Sequence, residues 1–216
     1  MERAKIGIVT GLRAEADWLA RSGFMVRVGG GTPLGAEAAA RALLAGGAQV
    51  LISFGLAGGL APGIAPGTVL IPSSVLEGRI IYPCDYKLME FLGGSTGAPI
   101  LAAPKVVATA REKTILRART GAAAVDLESG AVARVAQSRE IAFAVLRAVA
   151  DPADRDLPSA AIDALDEQGR VRLGHILRSL LREPGQIAGL IKVGRDANAA
   201  KTALQSHLAR LPAFSA

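Results

Sequence analysis

Three carboxylates, Glu15, Glu128 and Asp151, stand where this sequence could do chemistry. Each lies at the end of a predicted apolar strand, on the side where the next helix begins. In sheets covered by helices, ligands collect on those loops. Side chains of this type can move a proton or stabilise developing positive charge. Each also has a purely structural reading. Glu15 and Glu128 fall in the first turn of a helix, where a carboxylate meets the helix dipole favourably. Asp151 follows a strand and precedes Pro152, as many turn aspartates do.

The elements that must position these residues alternate along the chain. The pattern predicts strands over 5–10, 24–28, 50–54 and 68–71, with helices over 14–22, closed by Gly23, and from about 35 to 45. A Gly29-Gly30-Gly31-Thr32 loop precedes the second helix, and a loop over 55–60 follows the third strand. Between 78 and 109 the pattern is weaker, with strands near Ile80 and Ile100 and a Gly-rich loop around Gly93. A helix over 111–119, a strand over 122–127, a helix over 128–139 and a strand over 141–148 follow. This alternation predicts a single α/β domain with a central mixed or parallel sheet flanked by helices. That domain spans 1–170. Residues 171–216 form an amphipathic helical extension of it, because Leu173, Ile176, Leu177, Leu180 and Leu181, then Ile187, Leu190 and Ile191, recur at helical spacing.

Composition narrows the function classes. Half of the 216 residues are hydrophobic, ample for a sizeable core, but only 4% are aromatic, which argues against an aromatic platform for a stacked cofactor. Cys84 is the sole cysteine, so an intramolecular disulfide and a cysteine zinc site are excluded, and a cytoplasmic setting is the default. The apolar run 6–12 is stopped by Arg13 without a small-residue cleavage site, unlike a signal peptide. The uncharged stretch 42–76 is broken by repeated glycines and prolines and reads as a buried strand-loop-strand segment rather than a membrane span. No His and carboxylate cluster has metal-ligand spacing.

The net charge of +6 is concentrated in the tail, where seven Lys or Arg from Val171 onward stand against Glu183 and Asp196. Such a tail is a solvated helical face or a peripheral contact with anionic membrane; the charges lack the interleaved aromatics of a nucleic-acid surface. The Gly-rich loop 55–60 follows a strand, but residues 61–67, with Pro62 and Pro66, cannot form the helix that would hold a pyrophosphate. It suits close approach of a ligand to backbone, or a tight structural turn. Trp18 reads as a packing residue, and His175 and His207 as surface positions.

Five short stretches in order resemble one family. They are Ile6-Gly7-Ile8-Val9-Thr10-Gly11 followed by Glu15, Phe54-Gly55-Leu56-Ala57-Gly58-Gly59-Leu60, Pro66-Gly67-Thr68-Val69, Val125-Asp126-Leu127-Glu128-Ser129 and Leu146-Arg147-Ala148-Val149-Ala150-Asp151. They are similar to the successive motifs of the purine nucleoside phosphorylase and methylthioadenosine/S-adenosylhomocysteine nucleosidase superfamily. The short first region, the stretch Asp151-Pro152-Ala153-Asp154-Arg155-Asp156-Leu157-Pro158 and the later Leu180-Leu181-Arg182-Glu183-Pro184-Gly185-Gln186 resemble the hopanoid-associated phosphorylases that act on adenosylhopane.

The resemblance implies N-glycosidic cleavage of an adenine nucleoside. Asp151 matches the acid that protonates or hydrogen-bonds purine N7. Glu128, with the Leu127 backbone, matches the group that binds the ribose hydroxyls and favours an oxocarbenium-like transition state. Glu15 matches the residue that orients or deprotonates water. Gly55, Leu56, Ala57, Gly58 and Val107 fall at substrate-binding positions, and Arg13, Gly11, Gly31 and Thr32 would form a phosphate site. No cofactor is implied, inorganic phosphate being a co-substrate only if the reaction is phosphorolytic. A homo-oligomer is expected.

Departures keep hydrolysis and phosphorolysis both open. Leu56 replaces a usual Ser or Thr, Ser53 stands where some phosphorylases carry a phosphate-binding arginine, and Ala150 replaces a Ser beside the acid. Leu56 and Ala150 also favour a rival reading, a catalytically silent nucleoside-binding or lipid-associated protein that kept the fold. Retention of all three carboxylates speaks against it.

Overall fold

The computed structural model describes residues 2–162, 185 and 187–212. One mixed sheet organises the chain. Its strands are β1 (Ile6–Thr10), β2 (Met25–Val28), β3 (Val50–Gly59), β4 (Val69–Leu70), β5 (Ser74–Glu77), β6 (Ile80–Pro83), β7 (Ile100–Ala102), β8 (Ala124–Asp126) and β9 (Phe143–Asp151). Its helices are α1 (Arg13–Trp18), α2 (Pro33–Ala45), α3 (Tyr86–Leu92), α4 (Ala110–Thr120), α5 (Ser129–Ser138), α6 (Ser159–Ile162) and α7 (Ile187–Leu208). The order β2-β1-β3-β8-β7-β5-β6, with β9 beside β3 and β4 beside β9, bears out the α/β class.

β3 and β9 are the centre. Both are almost continuously apolar and buried, as expected of strands covered on both faces, and Leu51, Phe54, Val145 and Val149 are fully enclosed. Each such large side chain contributes about 1.5–3 kcal/mol by leaving water. β9 runs parallel to β3 from Leu51↔Phe143 to Gly58↔Asp151. The opposite edge of β3 is shared: β1 pairs as far as Thr10↔Phe54, and β8 begins at Gly58↔Val125. Gly55, Leu56 and Ala57 lie between them, paired to neither, and this gap opens the sheet beside the site.

The expected loop over 55–60 is therefore strand as far as Gly59. Its glycines suggested a turn, but pairing with β9 along one edge, joined by β8 from Gly58, carries the strand through them, a tertiary effect that local propensity does not register. Gly55 sits at φ 149, and a Cβ there would come within 2.5 Å of Glu15 Oε1 and 2.7 Å of Arg147 Nη1. A glycine is required because two functional side chains close over it.

Between 78 and 109 the strands near Ile80 and Ile100 exist, while α3 there and β5 just before that stretch were not anticipated. The tail helix α7 packs along β9 and buries Ala200 and Leu204 completely, whereas Ile187 and Ile191 stay half exposed. Residues 163–184, with the expected apolar stripe 173–181 and His175, lie outside the described residues. His207, read as a surface residue, is partly buried, its Nε2 against the Leu92 carbonyl at the end of α3. The packing of α7 onto the sheet puts it there. Trp18 meets Phe54 edge-on at 6.4 Å and packs, as expected. Among the described residues no helix is long and apolar enough to cross a membrane.

Candidate active site

A cavity of about 220 Å³ opens at the ends of β1, β3, β8 and β9. Glu15, Glu128 and Asp151 all line it, with Gly11, Gly31, Leu56, Ala57, Gly58, Val107 and Leu127 from the expected set. The three carboxylates come from separate strand ends, as the sequence required.

Glu15 holds position N3 of α1 and is 2% exposed. Its Oε2 accepts from Leu12 N at 2.8 Å, so the helix-terminal role is real. Its Oε1 accepts from Leu56 N at 2.9 Å, which closes the gap in β3. Burial raises its pKa against the pull of Arg147 and of the backbone donors.

Glu128 takes the N-cap position of α5 but makes no capping bond with its side chain. It turns instead to Arg147, whose Nη2 donates to Oε2 at 2.9 Å. Gly11 makes room for it, since a Cβ at that position would sit 2.3 Å from Glu128 Oε1 and 3.6 Å from Glu15 Oε2. Burial pushes the Glu128 carboxyl up to about 7, with Arg147 opposing and Asp126 and Glu15 adding to the rise.

Asp151 ends β9 just past an irregularity. The register passes from Ala57↔Val149 to Gly58↔Asp151, leaving Ala150 as the extra residue of a bulge. Bulges re-aim the side chains beside them, and here Asp151 reaches the cavity instead of continuing the strand alternation. Burial raises its pKa, opposed by Lys113 and Arg155.

Two cations that the sequence did not single out hold this arrangement. Arg147, on β9 and 1% exposed, donates from Nη2 to Ser53 Oγ at 2.7 Å and to Glu128, and from Nη1 to the Leu56 carbonyl at 3.3 Å. Asp126 Oδ2 lies 2.8 Å from Nη2 without hydrogen-bond alignment, and Arg147 Nε has no acceptor among the described residues. One guanidinium thus faces three carboxylates, Glu15, Asp126 and Glu128. Lys113, on α4 and fully buried, pairs with Asp151 Oδ2 at 2.6 Å. Arg147 lies inside a quoted motif, but its apolar neighbours gave no sign of its partners. Lys113 lies in a helix polar on all sides, where nothing distinguishes it from solvated neighbours.

Two expected phosphate residues are not brought to the cavity. Arg13 is exposed at the start of α1; it stands two residues from the inward-turned Glu15, about 200° round the helix. Thr32 caps α2, its hydroxyl accepting from Gly35 N at 3.1 Å. Gly55 lies beneath the cavity rather than on its wall.

The same architecture recurs in solved structures. A 5'-methylthioadenosine/S-adenosyl homocysteine nucleosidase of Helicobacter pylori superposes with a TM-score of 0.68 at 17% identity, covering 98% of this chain and 100% of that one. A futalosine hydrolase of Helicobacter pylori gives 0.65 at 18% identity, covering 82% and 97%. An S-adenosylhomocysteine nucleosidase of Streptococcus pyogenes gives 0.66 at 17%, covering 96% and 97%. At such identities the likeness is one of fold. No curated protein matches the sequence. The family model matches residues 18–110 and 96–182, and on that match the chain belongs to the phosphorylase superfamily.

Proposed function

We propose that this protein cleaves the N-glycosidic bond of an adenine nucleoside and releases adenine. The observation that carries the reading is the convergence of Glu15, Glu128 and Asp151 on one cavity from three strand ends. Asp151 delivers a proton to purine N7 as the C1′–N9 bond breaks and its electron pair passes to the base. A purine seated on Asp151 strips water from it and raises the carboxyl further, toward proton donation. The Leu127 backbone and Glu128 hold the ribose hydroxyls, and the Glu128 charge stabilises the cationic sugar. Water then attacks C1′ and gives its proton to Glu15.

Water fits this site better than phosphate. The glycines expected to cradle phosphate lie against Glu128: Cβ atoms built on Gly11 and Gly31 stand 2.3 Å and 3.9 Å from its Oε1. A phosphate there meets like charge, and Arg13 is not at hand to offset it. Turnover in ¹⁸O-labelled water tests this. Label at C1′ of the released sugar supports hydrolysis, and adenine release that requires phosphate and leaves C1′ unlabelled overturns it.

The walls beside Leu12, Leu56, Val106, Val107 and Leu157 suit an apolar 5′ substituent, as in the adenosylhopane that the sequence resemblance implies. Adenosines with apolar 5′ groups should be cleaved at higher kcat/KM than those with charged ones, and the reverse order excludes this assignment. We further infer a cytoplasmic homo-oligomer with peripheral contact between the basic tail and anionic membrane, where exposed Ile187 and Ile191 add apolar surface. Sedimentation velocity and flotation on anionic liposomes read these two properties; a monomer, or no flotation at low salt, removes the corresponding one.

Glu128 also gives a pH dependence. Ionised, it stabilises the sugar cation; protonated, it does not. Turnover should therefore fall as pH drops through about 7, where burial places its titration. Glu128→Gln should lower turnover and abolish that fall, and a variant that keeps both the rate and the limb excludes Glu128 from this role.

A further inference from the structure

Lys113 is the most fully enclosed ammonium among the described residues, at 0% exposure, and three oxygens surround it. Its Nζ donates to the Pro152 carbonyl at 2.9 Å and to the Arg155 carbonyl at 2.8 Å, and it pairs with Asp151 Oδ2 at 2.6 Å. Burying a charge is costly unless partners of this kind surround it. A lysine in the middle of α4 has no need of burial for the helix, whose other charged residues lie at the surface.

The placement has a geometric consequence. The acceptors belong to one short stretch, 151–155, immediately after the bulge at Ala150. Lys113 therefore ties down the backbone that follows Asp151 and one oxygen of its carboxyl group at the same time. With Oδ2 occupied, Oδ1 is the oxygen left for a ligand in the cavity. The charged groups around Asp151 come from three elements: Lys113 from α4, Arg155 from the stretch after β9, and Asp196 from α7, which is itself paired with Arg155. Of these, Lys113 is the one in contact with the carboxylate.

We propose that Lys113 is a positioning residue for the acid Asp151, fixing which carboxyl oxygen meets the purine and setting the pH at which that carboxyl holds a proton. The proposal rests on the acid role given to Asp151 above. An ammonium in contact with a carboxylate lowers its pKa by about 1–3 units, so removing it should raise the Asp151 titration by that amount. A buttress of the fold alone would leave that titration where it is.

The test compares Lys113→Met and Lys113→Gln with the unsubstituted protein. The Gln amide still donates to the Pro152 and Arg155 carbonyls, which preserves the local backbone if the Met variant does not fold. The Asp151 carboxyl carbon is followed by ¹³C NMR through a pH titration, its signal assigned by its loss in Asp151→Asn. A midpoint raised by about 1–3 pH units in a folded neutral variant is expected; an unmoved midpoint overturns the proposal. Turnover is measured in the same variants with and without Asp151→Asn. If Lys113 acts through Asp151, its replacement lowers turnover in the parent and adds little in the Asp151→Asn background. Losses that multiply independently overturn it. Wild-type protein that releases no adenine from any adenine nucleoside overturns the functional reading itself, a result distinct from active protein with an unmoved Asp151 midpoint.

Discussion

Asp151→Asn is expected to lower turnover by about 10²- to 10⁴-fold, the usual contribution of a general acid, with the fold intact. The amide oxygen still accepts from Lys113 Nζ, which lies 2.6 Å from Oδ2 in the native pair, and the amide group still hydrogen-bonds a purine. It cannot deliver a proton. The loss should appear in kcat, because the proton is required only as the bond to N9 breaks. Single-turnover kinetics with a circular dichroism check of the fold measure it, and near-normal turnover in a folded Asp151→Asn protein removes the acid role.

Arg147→Met is expected to have the largest effect on stability, about 3–5 kcal/mol, as when one partner is removed from a buried ionic cluster. The guanidinium contacts Ser53, Asp126, Glu128 and the Leu56 carbonyl and is 1% exposed. The deficit should depend on pH with a definite sign. Without the cation, the folded-state pKa values of Glu15 and Glu128, already raised by burial against the pull of Arg147, rise further above their unfolded values. The native state then binds more protons than the unfolded state, and stability falls as pH rises through those raised values. The deficit is therefore greatest above about pH 7, where Glu128 already titrates in the native protein, and shrinks in acid. Urea midpoints at several pH values measure it; a midpoint unchanged at neutral pH contradicts the assignment of Arg147 as the counter-charge.

Most of this fold was legible in the sequence because the buried strands announce themselves. β1, β3 and β9 are runs of Val, Ile, Leu, Ala and Phe bounded by Gly or charge, and the helix α4 carries its start in the Thr109 and Glu112 pair and its stop in Gly121. The signals for α3 were also present, Asp85 as N-cap and Gly93 as a left-handed C-cap, but the helix is only about two turns long and runs into a glycine-rich stretch. β5 is four residues long, and such short strands are fixed by their neighbours rather than by their own pattern.

The site divides along the same line. The three carboxylates could be found because strand ends locate loops, and loops locate ligands. Their electrostatic supports could not, since a cation's partners across the sheet leave no periodic trace. Ser53 and Arg147 are 94 residues apart and meet only because β3 pairs with β9. Arg13 misled for the opposite reason: its charge suits phosphate, but its helical phase relative to Glu15 takes it to solvent. Ala150, in sequence only a replacement of Ser beside the acid, is in three dimensions the bulge that aims Asp151 at the cavity.

The most direct test of the account is the release of free adenine, followed by chromatography, when the pure protein is incubated with adenosine and 5′-substituted adenosines, with and without inorganic phosphate. The account predicts adenine and the free sugar in the absence of phosphate, from the wild-type protein and not from Asp151→Asn at comparable rate. A protein that binds these nucleosides yet leaves every one of them intact under both conditions would contradict it, and would mark the chain as a nucleoside-binding member that kept the fold without the reaction.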